Sequence, residues 1–84
     1  MKFKKKPVVI DAIQWTGTNL SEVLEFSKEG NVGAIPGTKE LMIDTLEGTM
    51  ACPVGHWVIK GVKGEFYPCD PDIFSMSYER TYEE

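Results

Sequence analysis

His56, Cys52, Cys69, Asp70 and Asp72 are the side chains in this sequence best equipped for chemistry. His56 with Cys52 and Cys69 could begin a zinc site. Zinc takes four ligands, commonly in closely spaced pairs. The chain has no Cys-x-x-Cys, the fourth ligand is missing, and no metal is expected. A disulfide between Cys52 and Cys69 is possible in geometry, but a reducing cytoplasm opposes it. His56 and Cys69 as a nucleophile pair would need an orienting group, which Asp70 or Asp72 could supply, and an oxyanion pocket. Asp70 has a simpler use as a helix cap. Gly61-x-x-Gly64 reads first as a hairpin turn, not a phosphate loop. Asp11 and Glu65 are each isolated acids. No catalytic residue is assigned, and no motif requires a cofactor.

The aromatic residues offer a different chemistry. Trp15, Trp57, Phe66, Tyr67, Tyr78 and Tyr82 are many large rings for 84 residues. Phe66 and one tryptophan are expected in the core. Strand alternation is expected to send Tyr67 and Lys60 to the face opposite Phe66. A surface of Trp57, Lys60, Lys63 and Tyr67, with His56 adjoining, would offer flat rings and cations. Such surfaces suit a protein partner or stacked bases carrying phosphate. The competing readings are a solvated face and a dimer contact.

These residues must be positioned by short elements. Val8 to Trp15 is rich in β-formers and reads as a strand after Pro7. Asn19 followed by Glu22 resembles a capping box for a helix over about Leu20 to Lys28. Leu20, Val23, Leu24 and Ser27 share one helical face. Val32 to Ile35 reads as a short strand closed by a Pro36-Gly37 turn. Leu41 to Leu46 and Thr49 to Cys52 flank Glu47-Gly48 as a hairpin. Pairing Leu46 with Thr49 would set Ile43 opposite Cys52 and Thr45 opposite Met50, with Asp44 facing away. Trp57 to Lys60 is expected to fold back on Glu65 to Pro68, with Lys60 opposite Glu65, Ile59 opposite Phe66 and Val58 opposite Tyr67. Asp70-Pro71-Asp72 is a strong helix start, to be anchored by Ile73, Phe74 and Tyr78. The sum is an α+β chain with a β majority: a small bent antiparallel sheet or partly open barrel of hairpins, one covering helix and a short C-terminal helix.

Bulk properties narrow the function classes. The length fits one domain, residues 1–84, with a thin core. Small domains often gain stability by self-association, so a homo-oligomer is expected. A net charge of −4 argues against duplex nucleic acid. The lysines at 2, 4, 5 and 6 and the acids at 79, 83 and 84 read as solvated tails. No apolar run is long enough to cross a bilayer. The basic start lacks a clean apolar stretch and a cleavage site, so a cytoplasmic protein is expected.

"PVVIDAIQWTG" (Pro7 to Gly17), "LEGTM", "GHWVIKGVKGEFYPCDPDIF" (Gly55 to Phe74) and Ser77-Tyr78-Glu79 together resemble a widespread family of small phage and prophage proteins. The resemblance covers most of the chain and is most specific in its second half. His56 stands where the family usually has aspartate, and Asp70 where lysine is common. Residues 80–84 continue past the usual end. The resemblance implies a phage or prophage gene acting in a bacterial host cell, and it brings no catalytic residues. The expected function is a non-enzymatic accessory protein, with counter-defence by occupying a host or phage protein or sequestering a small nucleotide signal. The alternatives are a small hydrolase using His56 or Cys69 and a minor virion or assembly component.

Overall fold

The computed structural model describes residues 1–4 and 6–81. The readings that involve Lys5, Tyr82, Glu83 and Glu84 lie outside those residues. In chain order the elements are β1 (Asp11–Gln14), α1 (Leu20–Phe26), β2 (Val32–Ala34), β3 (Leu41–Thr45), β4 (Gly48–Cys52), β5 (Trp57–Lys60), β6 (Phe66–Cys69) and α2 (Pro71–Ser77). The α+β, β-majority architecture is as expected. The strands form two antiparallel three-stranded sheets, ordered β1-β5-β6 and β2-β3-β4, and among the described residues they close no barrel. Among the described residues no helix is long and apolar enough to cross a membrane.

The sheets bury one shared core. Leu41, Ile43 and Cys52 from the second sheet, Val58 and Phe66 from the first, and Trp15 and Val23 form its buried cluster. Trp15 also needs a polar partner, because its indole N–H is a donor that burial would otherwise strand. It donates to the Lys39 carbonyl at 2.8 Å. Ser27, buried at the C-terminal cap of α1, donates its hydroxyl to the Val23 carbonyl at 2.6 Å. Phe26 and Phe66 meet edge to face, with centroids 5.9 Å apart.

Several local expectations change. The first strand is confined to Asp11–Gln14, and α1 ends at Phe26. Asn19 precedes α1 but does not cap it with its side chain. Its amide instead donates to the Gln14 carbonyl at 2.8 Å and accepts from Thr16 N–H at 2.9 Å, tying the helix start to the end of β1. Val23 and Ser27 face the core as the periodicity requires, while Leu24 is exposed.

Both hairpins form where turn residues place them, but in other registers. In β3–β4, Leu41 pairs with Cys52, Ile43 with Met50 and Thr45 with Gly48. Leu46-Glu47 is therefore the connection, and Gly48 follows with φ of +111°. The shift is an even number of residues, so Leu41, Ile43, Met50 and Cys52 still share one face and Asp44 the other. In β5–β6, Lys60 pairs with Phe66, Ile59 with Tyr67, Val58 with Pro68 and Trp57 with Cys69. Gly61 N–H donates to the Glu65 carbonyl and Gly64 N–H to the Gly61 carbonyl. This leaves a three-residue loop, Val62 to Gly64, whose last residue takes φ of +82°. The slip is one residue, and it moves Lys60 to the face of Phe66.

Candidate functional site: an aromatic groove on the outer sheet face

The one-residue slip decides which side chains meet. Val58 and Phe66 enter the core. Their neighbours Trp57, Ile59, Tyr67 and Cys69 therefore stand on the outer face of β1-β5-β6. Ile59 is fully buried there, so the outer face is covered rather than solvated.

The cover is α2. Asp70 Oδ1 accepts from Asp72 N–H at 2.8 Å and from Ile73 N–H at 3.2 Å, and Pro71 occupies the first helical turn. These are the two features expected of that sequence. The start directly follows β6, so the helix turns back over the hairpin. Phe74 then stacks on Trp57, with centroids 4.1 Å apart and planes 6° from parallel. Tyr78, one turn later, lies 5.1 Å from Phe74. Ile73, expected as a third anchor, points to solvent. Tyr67 and Tyr78 line the same groove. Burial first, then the neighbouring Tyr78 hydroxyl and Glu65, push the Tyr67 hydroxyl up to about 12. Trp57, Phe74 and Tyr78 thus run as a series of rings from β5 along α2, with Tyr67 of β6 in the same groove.

Residues 6–10 form the opposite wall. Between this segment, the hairpin and α2 lies a groove of about 770 Å³. Val8, Val9, Trp57, Tyr67 and Tyr78 give it an apolar interior, and among the described residues Asp11, Glu65 and Glu79 are its acids and Lys6 and Arg80 its cations. The loop leading into β5 is held by backbone bonds from Gly55 N–H to the Trp15 carbonyl (2.6 Å) and from Trp15 N–H to the His56 carbonyl (2.9 Å). Gly55 takes φ of +94° in this loop, a conformation that favours glycine.

Of the five residues expected to form a contact surface, Trp57 and Tyr67 line this groove. Lys60 is on the other face, where its Nζ lies 3.3 Å from Glu29 Oε1. Lys63 is exposed in the turn, its backbone N–H donating to Glu65 Oε1 at 2.9 Å. The supposed Lys60–Glu65 cross-strand pair is thus replaced by Lys60–Glu29, and Glu65 braces its own turn. His56 sits beside the α2 start, with Nε2 4.0 Å from Asp70 Oδ2. Lys60 therefore does not share a surface with the rings.

The chemistry open to the thiols is limited. Both cysteines are free. Burial pushes the Cys52 thiol up to about 11. Cys69 is also raised, first by burial and then by the negative charge of Asp70. A nucleophilic cysteine needs the opposite shift. Among the described residues no group of three or more His, Cys, Asp or Glu converges as metal ligands.

Phe74 anchors α2 as expected, but neither its stacking on Trp57 nor the wall of residues 6–10 is foreseen in the sequence. Phe74 and Tyr78 are spaced i, i+4, so one shared helical face was available as a signal. Nothing in residues 6–10 points to a wall. Comparison of the chain with protein-family models, curated proteins and solved structures finds no match.

Proposed function

We propose that the protein is a non-enzymatic binding protein whose aromatic groove engages another protein. The observation that carries this reading is the balance of the groove: among the described residues more carboxylates than cations line it beside the rings. Trp57 and Tyr67 line the groove, whereas Lys60 and Lys63 lie elsewhere. A nucleotide held through its phosphates needs cations beside its stacking platform. Here three carboxylates, from Asp11, Glu65 and Glu79, flank the rings against Lys6 and Arg80. An apolar, ring-lined cleft with a charged rim has the composition of a protein-recognition hot spot. The raised Cys69 thiol weighs against the hydrolase alternative.

The resemblance to small phage and prophage proteins supports the setting: an accessory factor acting in a bacterial host cell by occupying a host or phage protein. Two measurements test the reading. Melting curves with cyclic and linear nucleotides should show no shift. A sequestered nucleotide at a hundred times its Kd would add about 2.7 kcal/mol and replace this reading. Affinity capture from host lysate should recover a protein that Tyr67→Ala no longer retains, with the variant still folded. Equal recovery by both proteins would remove the groove from the account.

A further inference from the structure

We propose that β4 is a self-association edge, through which two copies of the chain pair antiparallel about a twofold axis at Met50. The β2-β3-β4 sheet ends at β4. Asp44 N–H donates to the Asn31 carbonyl, on the β2 side. In an antiparallel ladder the residues bonded to each neighbour alternate. Leu41, Ile43 and Thr45 therefore bond to Cys52, Met50 and Gly48 across the β3–β4 register. Thr49 and Ala51 turn their N–H and C=O groups outward, and among the described residues these have no backbone partner.

An open edge is ordinarily blunted by charge, proline or shortness. β2 has three residues, and β6 carries Pro68. Because the Gly61–Glu65 pair is hydrogen-bonded, the Pro68 nitrogen faces away from β5, where it denies a donor to any incoming strand. β4 has neither device. Residues 48 to 55 contain no charged side chain, and the strand's own residues are free of proline.

The same strand is self-complementary. Antiparallel pairing centred on Met50 sets Thr49 of one copy opposite Ala51 of the other, matching the two outward-facing positions. Met50 meets its own equivalent in a non-hydrogen-bonded pair, where side chains approach most closely. Leu46 approaches Val54 of the other copy. Leu46, Met50 and Val54 are 76%, 45% and 44% exposed in the single chain. Glu47 falls opposite Pro53, so no acid meets an acid. Leu46 and Met50 also line a cleft of about 330 Å³ against Phe66 and Pro68, which the second copy's side chains would cover. The isologous contact joins two three-stranded sheets into one of six strands. It is one strand wide, so the dimer is reversible and concentration-dependent.

Sedimentation equilibrium of the full chain over a concentration series tests this. The mass is expected to rise toward twice that of the chain. Met50→Lys places like charges on the axis and is expected to remain monomeric, with an unchanged circular dichroism spectrum. A monomer at every concentration, or a folded Met50→Lys protein that dimerises as the wild type does, overturns the proposal. Should Met50→Lys fail to fold, Met50→Cys reads the register directly. Mild oxidation is expected to join the two introduced thiols, identified by mass spectrometry of the linked peptides. A dimer lacking that linkage overturns the proposal.

Discussion

Trp57 and Phe74 stack with ring centroids 4.1 Å apart and planes within 6° of parallel. This contact holds α2 against the sheet, because no residue of that helix is itself buried. A stacked pair contributes about 0.5–1.5 kcal/mol beyond its area. Phe74→Ala is expected to cost about 2 kcal/mol in all, because Phe74 is half-buried and loses apolar contact as well. Urea titration followed by tryptophan emission checks it. The variant should unfold earlier, and its native emission should shift to the red as Trp57 is uncovered. A native spectrum and midpoint equal to wild type would show that α2 is held otherwise.

Asp70 fixes where that helix begins, through two backbone bonds to one carboxylate oxygen. Asp70→Ala is expected to cost about 1 kcal/mol, and Asp70→Asn much less, since asparagine caps nearly as well. Chemical denaturation of the two variants distinguishes a cap from a catalytic acid, for which asparagine is a poor replacement.

Gly30 lies against the Phe66 ring, and a Cβ there would overlap the ring atoms. Phe66 is locked in the core beside Phe26 and cannot swing clear. Gly30→Ala is expected to lose about 1–3 kcal/mol by overpacking. Gly33→Ala, whose Cβ would meet nothing within 4 Å, is the matched control. Thermal melts of both should separate clearly.

Alkaline pH should destabilise the protein in a defined window. Cys52 titrates near 11 when folded, against 9.0 for an ordinary thiol, because it is buried. The unfolded chain therefore releases this proton first. Below about pH 9 the contribution is complete, and it is lost as pH rises toward about 11. Tyr67 acts in the same direction, from 10.0 to about 12. The urea midpoint is expected to fall across this range, and Cys52→Ala should flatten the first part of the fall. A midpoint that rises with pH there would contradict the burial of both groups.

Local chemistry made much of this fold legible in the sequence. Pro36-Gly37 turns where expected, with Thr38 N–H donating to the Ile35 carbonyl and Gly37 at φ of +79°. Asp70-Pro71-Asp72 starts a helix for the reasons that its residues supply. The hairpin registers were not legible, because one loop residue more or less changes the pairing without changing the hydrophobic pattern much. Val58 and Ile59 are both fully buried, so apolarity alone could not tell which of them faces Phe66. Gly64 at positive φ resolved it by adding a third residue to the loop. The groove is half visible in the sequence: Trp57 and Tyr67 belong to the expected surface with Lys60, Lys63 and His56, but the placement of α2 over them and the wall of residues 6–10 depend on tertiary packing.

The most direct test of the central claim separates rings from lysines in binding. Capture of the partner from host lysate, quantified by mass spectrometry, should be compared for wild type, Tyr67→Ala and the double variant Lys60→Glu with Lys63→Glu. The account predicts loss with Tyr67→Ala and near-normal recovery with the charge-reversed protein. Loss with the lysine variant and retention with Tyr67→Ala, both proteins remaining folded, would contradict it.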